Sequence, residues 1–297
     1  MSAPAVHTTV TLGRRVFECV LHRSERRQEP RPPPILAVAG WAMVKEEFGH
    51  LLAELAAQGR DVLAFDNQGI GGSRDDPSDA FTLDSWAVDA LEIADAALSP
   101  GLRLVVLGFS MGSFLAQHLA AVRPDRICAV VCVGGQGPRK TSVAGKAAFS
   151  RHTSRTVSTG TNTLESNDER LRYFYGSDVI AAETTWAAQV KADLAFRRPA
   201  ATVAKQFKLL SKADVDLGAI SCPVLVIFGA DDVIVPAANG EALLAALTGS
   251  VRKELVIIPG QGHVCWGPPT GILPWAVKDM ARHVDGFLNG IWRRSKL

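Results

Sequence analysis

The chain has 297 residues, of which 47% are hydrophobic and 21% charged, with a formal net charge of +2. That size and apolar content suit a soluble protein with a well-buried core: one large α/β domain, or a core with an inserted lobe. So small a net charge gives no whole-molecule field for nucleic acid or an anionic membrane surface, so neither is an expected partner.

Five cysteines (Cys19, Cys128, Cys132, Cys222, Cys265) are scattered, odd in number and mostly embedded in strand-like runs. They read as reduced, buried thiols of a cytoplasmic protein rather than a disulfide framework. No CxxC spacing or His/Cys cluster suggests a metal, and no cofactor is implied. The N-terminus lacks the basic-then-apolar pattern of a signal peptide, and no apolar run reaches membrane-spanning length. The cytoplasm is the expected location; association into a homo-oligomer stays open.

In chain order, Thr8–Val20 alternates apolar and polar residues around Gly13-Arg14-Arg15, the pattern of a β-hairpin at a sheet edge. Arg23–Pro34 is a basic loop, because Pro32-Pro33-Pro34 cannot join a ladder. Strands are then expected at Ile35–Ala39, Val62–Phe65, Arg103–Leu107 and Ile127–Val133, and helices at Phe48–Gln58, Leu83–Leu98 and Met111–Val122. The strands are almost continuously apolar, as in a parallel sheet covered on both faces by right-handed βαβ units. After Gly134-Gly135 the pattern breaks into a helix-rich stretch without convincing strands. It resumes with strand Pro223–Phe228, helix Pro236–Leu247, strand Glu254–Ile258 and helix Ile272–Leu288. The expected fold is a mostly parallel, doubly wound α/β sheet with an inserted helical cap. Core segments at 1–137 and 219–297 flank a cap at 138–218. Residues 138–212 hold 13 Lys and Arg against 6 Asp and Glu, which reads first as a solvated helical face and second as a greeting for an anionic substrate.

Gly108-Phe109-Ser110-Met111-Gly112 joins the third of these strands to a helix. A sharp strand-to-helix turn holds a serine clear of its neighbours, and the two glycines remove side chains that would clash where the backbone doubles back. A serine nucleophile needs a base and an acid to orient that base. His263, in Pro259-Gly260-Gln261-Gly262-His263 just past a strand, is the best placed of seven histidines. The acid should follow strand Pro223–Phe228, where Asp231 and Asp232 compete. Asp232 is favoured because it leads through Val-Ile-Val-Pro into the next helix, leaving Asp231 as a turn-former or N-cap. The stretch after Val133 offers no carboxylate.

These motifs, in the order Ser…Asp…His, resemble the α/β-hydrolase superfamily, and most of all its capped branch of haloperoxidases and perhydrolases, enol-lactonases, proline iminopeptidases and C–C hydrolases. Ser110, Asp232 and His263 match the family triad. Asp66-Asn67-Gln68-Gly69-Ile70-Gly71-Gly72-Ser73 resembles the family loop D-x-R-G-x-G-x-S, with Gln68 in place of a structural cation and Asp66 expected to be structural. The resemblance implies an oxyanion hole from the backbone N–H of Met111 and a second N–H after strand Ile35–Ala39. The family's His-Gly-x reads Ala39-Gly40-Trp41 here, which assigns Trp41, with Ala42 as the alternative. The elbow lacks the Asp nucleophile of dehalogenases and many epoxide hydrolases.

The expected activity is a serine hydrolase that cleaves a carboxylic ester or lactone of a moderately large apolar or aromatic small molecule. Phe114, Phe149, Trp186 and Trp266 are the candidate pocket residues. The same triad would also serve a C–C bond hydrolase or an acyltransferase. A non-hydrolytic lyase, cofactor-free oxygenase or ligand-binding protein on this scaffold is a third reading.

Overall fold

The computed structural model describes residues 5–26, 30–75, 81–137, 141–145, 163–182, 186–268 and 274–294. Its strands are β1 (Val6–Leu12), β2 (Arg15–His22), β3 (Ile35–Val38), β4 (Val62–Phe65), β5 (Leu104–Phe109), β6 (Ile127–Val133), β7 (Val224–Gly229) and β8 (Lys253–Ile258). They form one eight-stranded sheet in the order β1-β2-β4-β3-β5-β6-β7-β8. β1 and β2 are the antiparallel edge hairpin, and β2 joins β4 antiparallel; the remaining pairs are parallel.

The helices are α1 (Leu51–Ala57), α2 (Leu83–Ala97), α3 (Met111–Val122), α4 (Leu164–Phe174), α5 (Ser177–Ala182), α6 (Trp186–Leu194), α7 (Ala200–Lys212), α8 (Ala238–Ala246) and α9 (Pro274–Arg294). Successive strand residues point to opposite faces, and each face is buried. Ala37, Val105, Leu107, Val131 and Ile227 pack under α1 and α9, whereas Leu36, Val38, Val106, Val130 and Val226 pack under α2, α3 and α8. Two covered faces explain why these strands lack alternating polar positions.

The expected helix at Phe48–Gln58 is split. Lys45–Phe48 is a 3₁₀ turn, Gly49 leaves the helical region at φ 52°, and α1 begins only at Leu51. Between β6 and β7 the described residues hold α4 to α7 and no strand. These helices dock on loops at the carboxyl ends of the strands. Trp41 Nε1 donates to Val203 O (3.0 Å), Arg197 Nη1 to Gly69 O (3.1 Å), and Val264 N to Phe174 O (2.9 Å). From β3 the chain moves one way, to β4; from β5 it moves the other way, to β6. The crevice outside β3 and β5 is therefore the topological switch point, where open α/β sheets bind ligands.

Candidate active site

Ser110 terminates β5 and caps α3, with φ 51° and ψ −113°. A non-glycine residue rarely adopts a positive φ, at a cost of about 1–3 kcal/mol, so the surrounding packing must impose it. The packing is visible. A Cβ at Gly108 would lie 2.3 Å from Gly112 O, and one at Gly112 would lie 2.3 Å from Val38 O. Both glycines flanking the serine are thus sterically required. The Ser110 N–H donates to Val133 O (2.8 Å), which fastens the turn to β6.

His263 is 1% exposed and sits between Phe109 (ring centroids 4.8 Å apart) and Phe174 (5.7 Å). Its Nδ1 lies 2.6 Å from Asp232 Oδ2. The other Asp232 oxygen, Oδ1, accepts from Ile234 N (2.9 Å) and Val235 N (2.8 Å). An ionised carboxylate can only accept, so the imidazole proton belongs on Nδ1, and Nε2 keeps a lone pair. Nε2 is buried and has no hydrogen-bond partner among the described residues. Asp231 is exposed, and its N–H donates to Gln261 O (2.9 Å). The structure therefore brings Asp232, not Asp231, to His263. Gly134 explains why the end of β6 offers no acid: a Cβ there would stand 2.9 Å from His263 Cε1.

A cavity of about 360 Å³ opens over these groups, within the usual size of small-molecule sites. Ser110, Met111 and His263 line it, together with Trp41, Phe109, Phe114, Phe174, Phe207, Leu210, Ile234 and Val235. The backbone N–H groups of Trp41 and Met111 make no hydrogen bond among the described residues, and Met111 N stands at the positive end of α3. The Ala42 N–H is already given to Gln206 Oε1 (2.8 Å), which removes it as the alternative donor. Among the described residues no three His, Cys, Asp or Glu side chains converge as a metal site.

Two of the expected pocket residues stand elsewhere. Trp186 packs edge-on to Tyr175 and donates from Nε1 to Asp168 Oδ1 (2.7 Å) within the cap. Trp266 is 1% exposed, stacks on Phe48 and meets Phe109 edge-on, so it braces the site from behind rather than lining it. Phe114 lines the cavity; Phe149 lies outside the described residues. Of the other cap aromatics, Phe174 and Phe207 line the cavity.

Asp66, two residues before Gln68, has its buried counter-charge in Lys45. Asp66 is fully buried and accepts from Lys45 N (2.7 Å), Lys45 Nζ (2.9 Å) and Gly72 N (2.9 Å). Burial pushes the Asp66 carboxyl up and works against the Lys45 charge, while the Lys45 ammonium is held above its ordinary value by Asp66 and Glu46. Asp66 thus acts as the structural anchor of its loop.

An elbow serine, a buried Asp–His pair and two open amides over one cavity form a serine-hydrolase constellation, and the sequence comparison agrees. Residues 33–268 match the profile of the family described as serine aminopeptidase, S33. The chain belongs to that family. It is an α/β-hydrolase enzyme. The protein named "Putative carbamate hydrolase RutD" from Klebsiella pneumoniae (strain 342) is 27% identical over 230 residues, covering 73% of this chain and 80% of that protein. The fold resembles that of the enol-lactonase from Burkholderia xenovorans LB400, with TM-score 0.73, 18% identity, and 95% and 100% of the two chains covered. It equally resembles a variant of the meta-cleavage product hydrolase CumD from Pseudomonas fluorescens IP01, with TM-score 0.74, 18% identity, and 96% and 98% covered. No described helix is long and apolar enough to cross a membrane.

Proposed function

We propose that this enzyme hydrolyses a carboxylic ester or lactone of an apolar small molecule through an acyl-enzyme on Ser110. The observation that carries the reading is the polarity of the Asp232–His263 pair. With Nδ1 tied to the carboxylate at 2.6 Å, the free Nε2 lone pair is the group left to take the hydroxyl proton of Ser110 in the shared cavity. In this scheme Ser110 Oγ attacks the carbonyl carbon as His263 Nε2 takes its proton. The N–H groups of Trp41 and Met111 hold the resulting oxyanion, each such donor being worth roughly 10²–10³ in rate. The imidazolium, stabilised by Asp232, then protonates the leaving alkoxide. Water, deprotonated in its turn by His263, releases the acid.

The lining favours an apolar acyl or alcohol part: Phe114, Phe174, Phe207, Leu210, Ile234 and Val235 offer no charge to a ligand. About 360 Å³ accommodates a ligand larger than a short-chain ester. A second reading, a carbamate as the cleaved bond, draws on the 27%-identical relative's name. It uses the same acyl-enzyme cycle with an amine as the leaving group. Nitrophenyl esters of two to eight acyl carbons, assayed beside an alkyl N-(4-nitrophenyl)carbamate that releases nitroaniline as its amine leaving group, separate the two. The ester reading expects kcat/KM to rise with acyl length and to exceed that of the carbamate. Turnover of the carbamate alone would overturn it.

A further inference from the structure

The loop that carries the Trp41 amide is tied to the core at Ala39 and Lys45, but between them it is held by the cap. Ala42, the next residue, has φ 54°, a conformation that a non-glycine residue does not keep unaided. Both sides of its backbone are taken by cap side chains. Its N–H donates to Gln206 Oε1 on α7 at 2.8 Å, and its carbonyl accepts from Arg198 Nε at 2.7 Å.

Neither partner is free to drift. Gln206 is fully buried, and among the described residues its Nε2 has no hydrogen-bond partner, so its acceptor oxygen is the atom that the site uses. Arg198 uses every direction of its guanidinium. Besides Nε to Ala42, Nη1 donates to Asp193 O (2.6 Å) and Asp193 Oδ2 (3.2 Å), and Nη2 donates to Asp193 Oδ1 (2.8 Å) and Glu47 Oε2 (3.0 Å). Arg170 binds the other side of Asp193. Glu47 in turn accepts from Val44 N (2.8 Å), closing the cluster back onto the same loop. A planar fork with five donors fits this set, and the point charge of a lysine does not.

We infer that Gln206 and Arg198 are positioning residues for the reaction: the cap residues clamp the Ala42 peptide from both sides and thereby aim the Trp41 N–H at the oxyanion. Docking of the cap and assembly of the oxyanion hole are then one event. The inference rests on the acyl-enzyme reading of Ser110. It predicts a specific kinetic signature, because the Trp41 amide is needed for the transition state and not for holding the substrate.

The test uses the full chain and four proteins: wild type, Gln206→Leu, Gln206→Glu and Arg198→Lys. Each is assayed for nitrophenyl ester hydrolysis, thermal unfolding, fluorophosphonate labelling, and inhibition by an aryl trifluoromethyl ketone, whose adduct on a serine carries an oxyanion. Removing one oxyanion donor outright costs roughly 10²–10³, which bounds the effect from above. Gln206→Leu, which keeps no acceptor, is expected to lose about 10- to 100-fold in kcat with KM within about twofold, and to lose ketone affinity in parallel. Gln206→Glu keeps an acceptor oxygen and should stay within about threefold of wild type in kcat. Arg198→Lys keeps the charge but not the donor geometry and should follow Gln206→Leu. A labelled wild type whose Leu and Lys variants lose KM and kcat equally, or bind the ketone as before, would overturn this inference alone. A wild type that fluorophosphonate does not label would overturn the acyl-enzyme reading, and this inference with it.

Discussion

The substitution Asp232→Asn exchanges one oxygen for an NH₂ group in a buried site, and its consequence follows from hydrogen-bond direction. The Asp232 carboxylate accepts three hydrogen bonds, from Ile234 N at 2.9 Å, Val235 N at 2.8 Å and His263 Nδ1 at 2.6 Å. In the asparagine variant the amide oxygen stays on the two backbone donors, which are fixed. The NH₂ group then faces His263 and must donate, so Nδ1 becomes the acceptor. The proton moves to Nε2, the nitrogen that has to receive the serine proton. The shape of the site survives while the base is in the wrong tautomer, a change that costs roughly 10⁴ in kcat where the same triad geometry operates. Backbone contacts and burial are kept, so the melting temperature should move by only a few degrees. Asp231→Asn is the control: Asp231 is exposed, and surface changes of this kind stay within about 0.5 kcal/mol. Steady-state turnover of a nitrophenyl ester at pH 7.5, beside thermal unfolding, decides the matter. An Asp232→Asn enzyme within tenfold of wild type, or a larger loss at Asp231, would refute the argument from hydrogen-bond direction.

Other outcomes follow from the packing and the charges. Gly112→Ala would set a Cβ 2.3 Å from the Val38 carbonyl, so it should lower the melting temperature by several degrees and abolish labelling; a native-like, fully active protein would remove steric necessity from the elbow. Asp193 sits between Arg170 and Arg198, which overcome its burial and hold its carboxyl down to about 2. A depressed folded value stabilises the protein above the ordinary carboxyl pKa and loses that contribution as pH falls toward about 2. Asp193→Asn should therefore flatten the fall in unfolding free energy between pH 5 and pH 2 by about 2 kcal/mol, measured by urea denaturation; an unchanged slope would contradict the pairing. Burial pushes the Cys19, Cys132 and Cys222 thiols up to about 12 and Cys128 to about 11, and Cys265 is also raised. They stay protonated at pH 8, so a thiol-disulfide reagent should titrate all five cysteines only after denaturation, and rapid reaction of the native protein would refute this.

Much of this is legible in the sequence, for identifiable reasons. Strands such as Val62–Phe65 and Ile127–Val133 are buried on both faces, so unbroken apolar runs marked their limits closely. The elbow was readable because sterics forced glycine at both Gly108 and Gly112. Asp232 and His263 were legible because each follows a strand and leads into a turn of recognisable composition. The misses share one cause. Whether Trp186 or Phe207 faces the cavity depends on how cap helices seat on the core, which helical periodicity does not encode. Trp266 carries an aromatic signal identical to that of a pocket residue, yet its Nε1 is spent on Glu47 O at 3.1 Å. Nothing in the sequence singles out Lys45, Arg198 or Gln206, and only long-range partners at Asp66, Glu47 and Ala42 give them roles. A buried Lys or Arg announces itself in three dimensions, where its counter-charge is seen.

The central claim is that the Ser110 hydroxyl becomes covalently acylated during turnover. Intact-mass spectrometry after rapid acid quench of the enzyme mixed with a slowly deacylating ester, followed by peptide mapping, measures it directly. The account predicts one added acyl mass on the peptide containing Ser110, absent in Ser110→Ala. Sustained product formation with no adduct at any quench time, or an adduct that persists in Ser110→Ala, would contradict it.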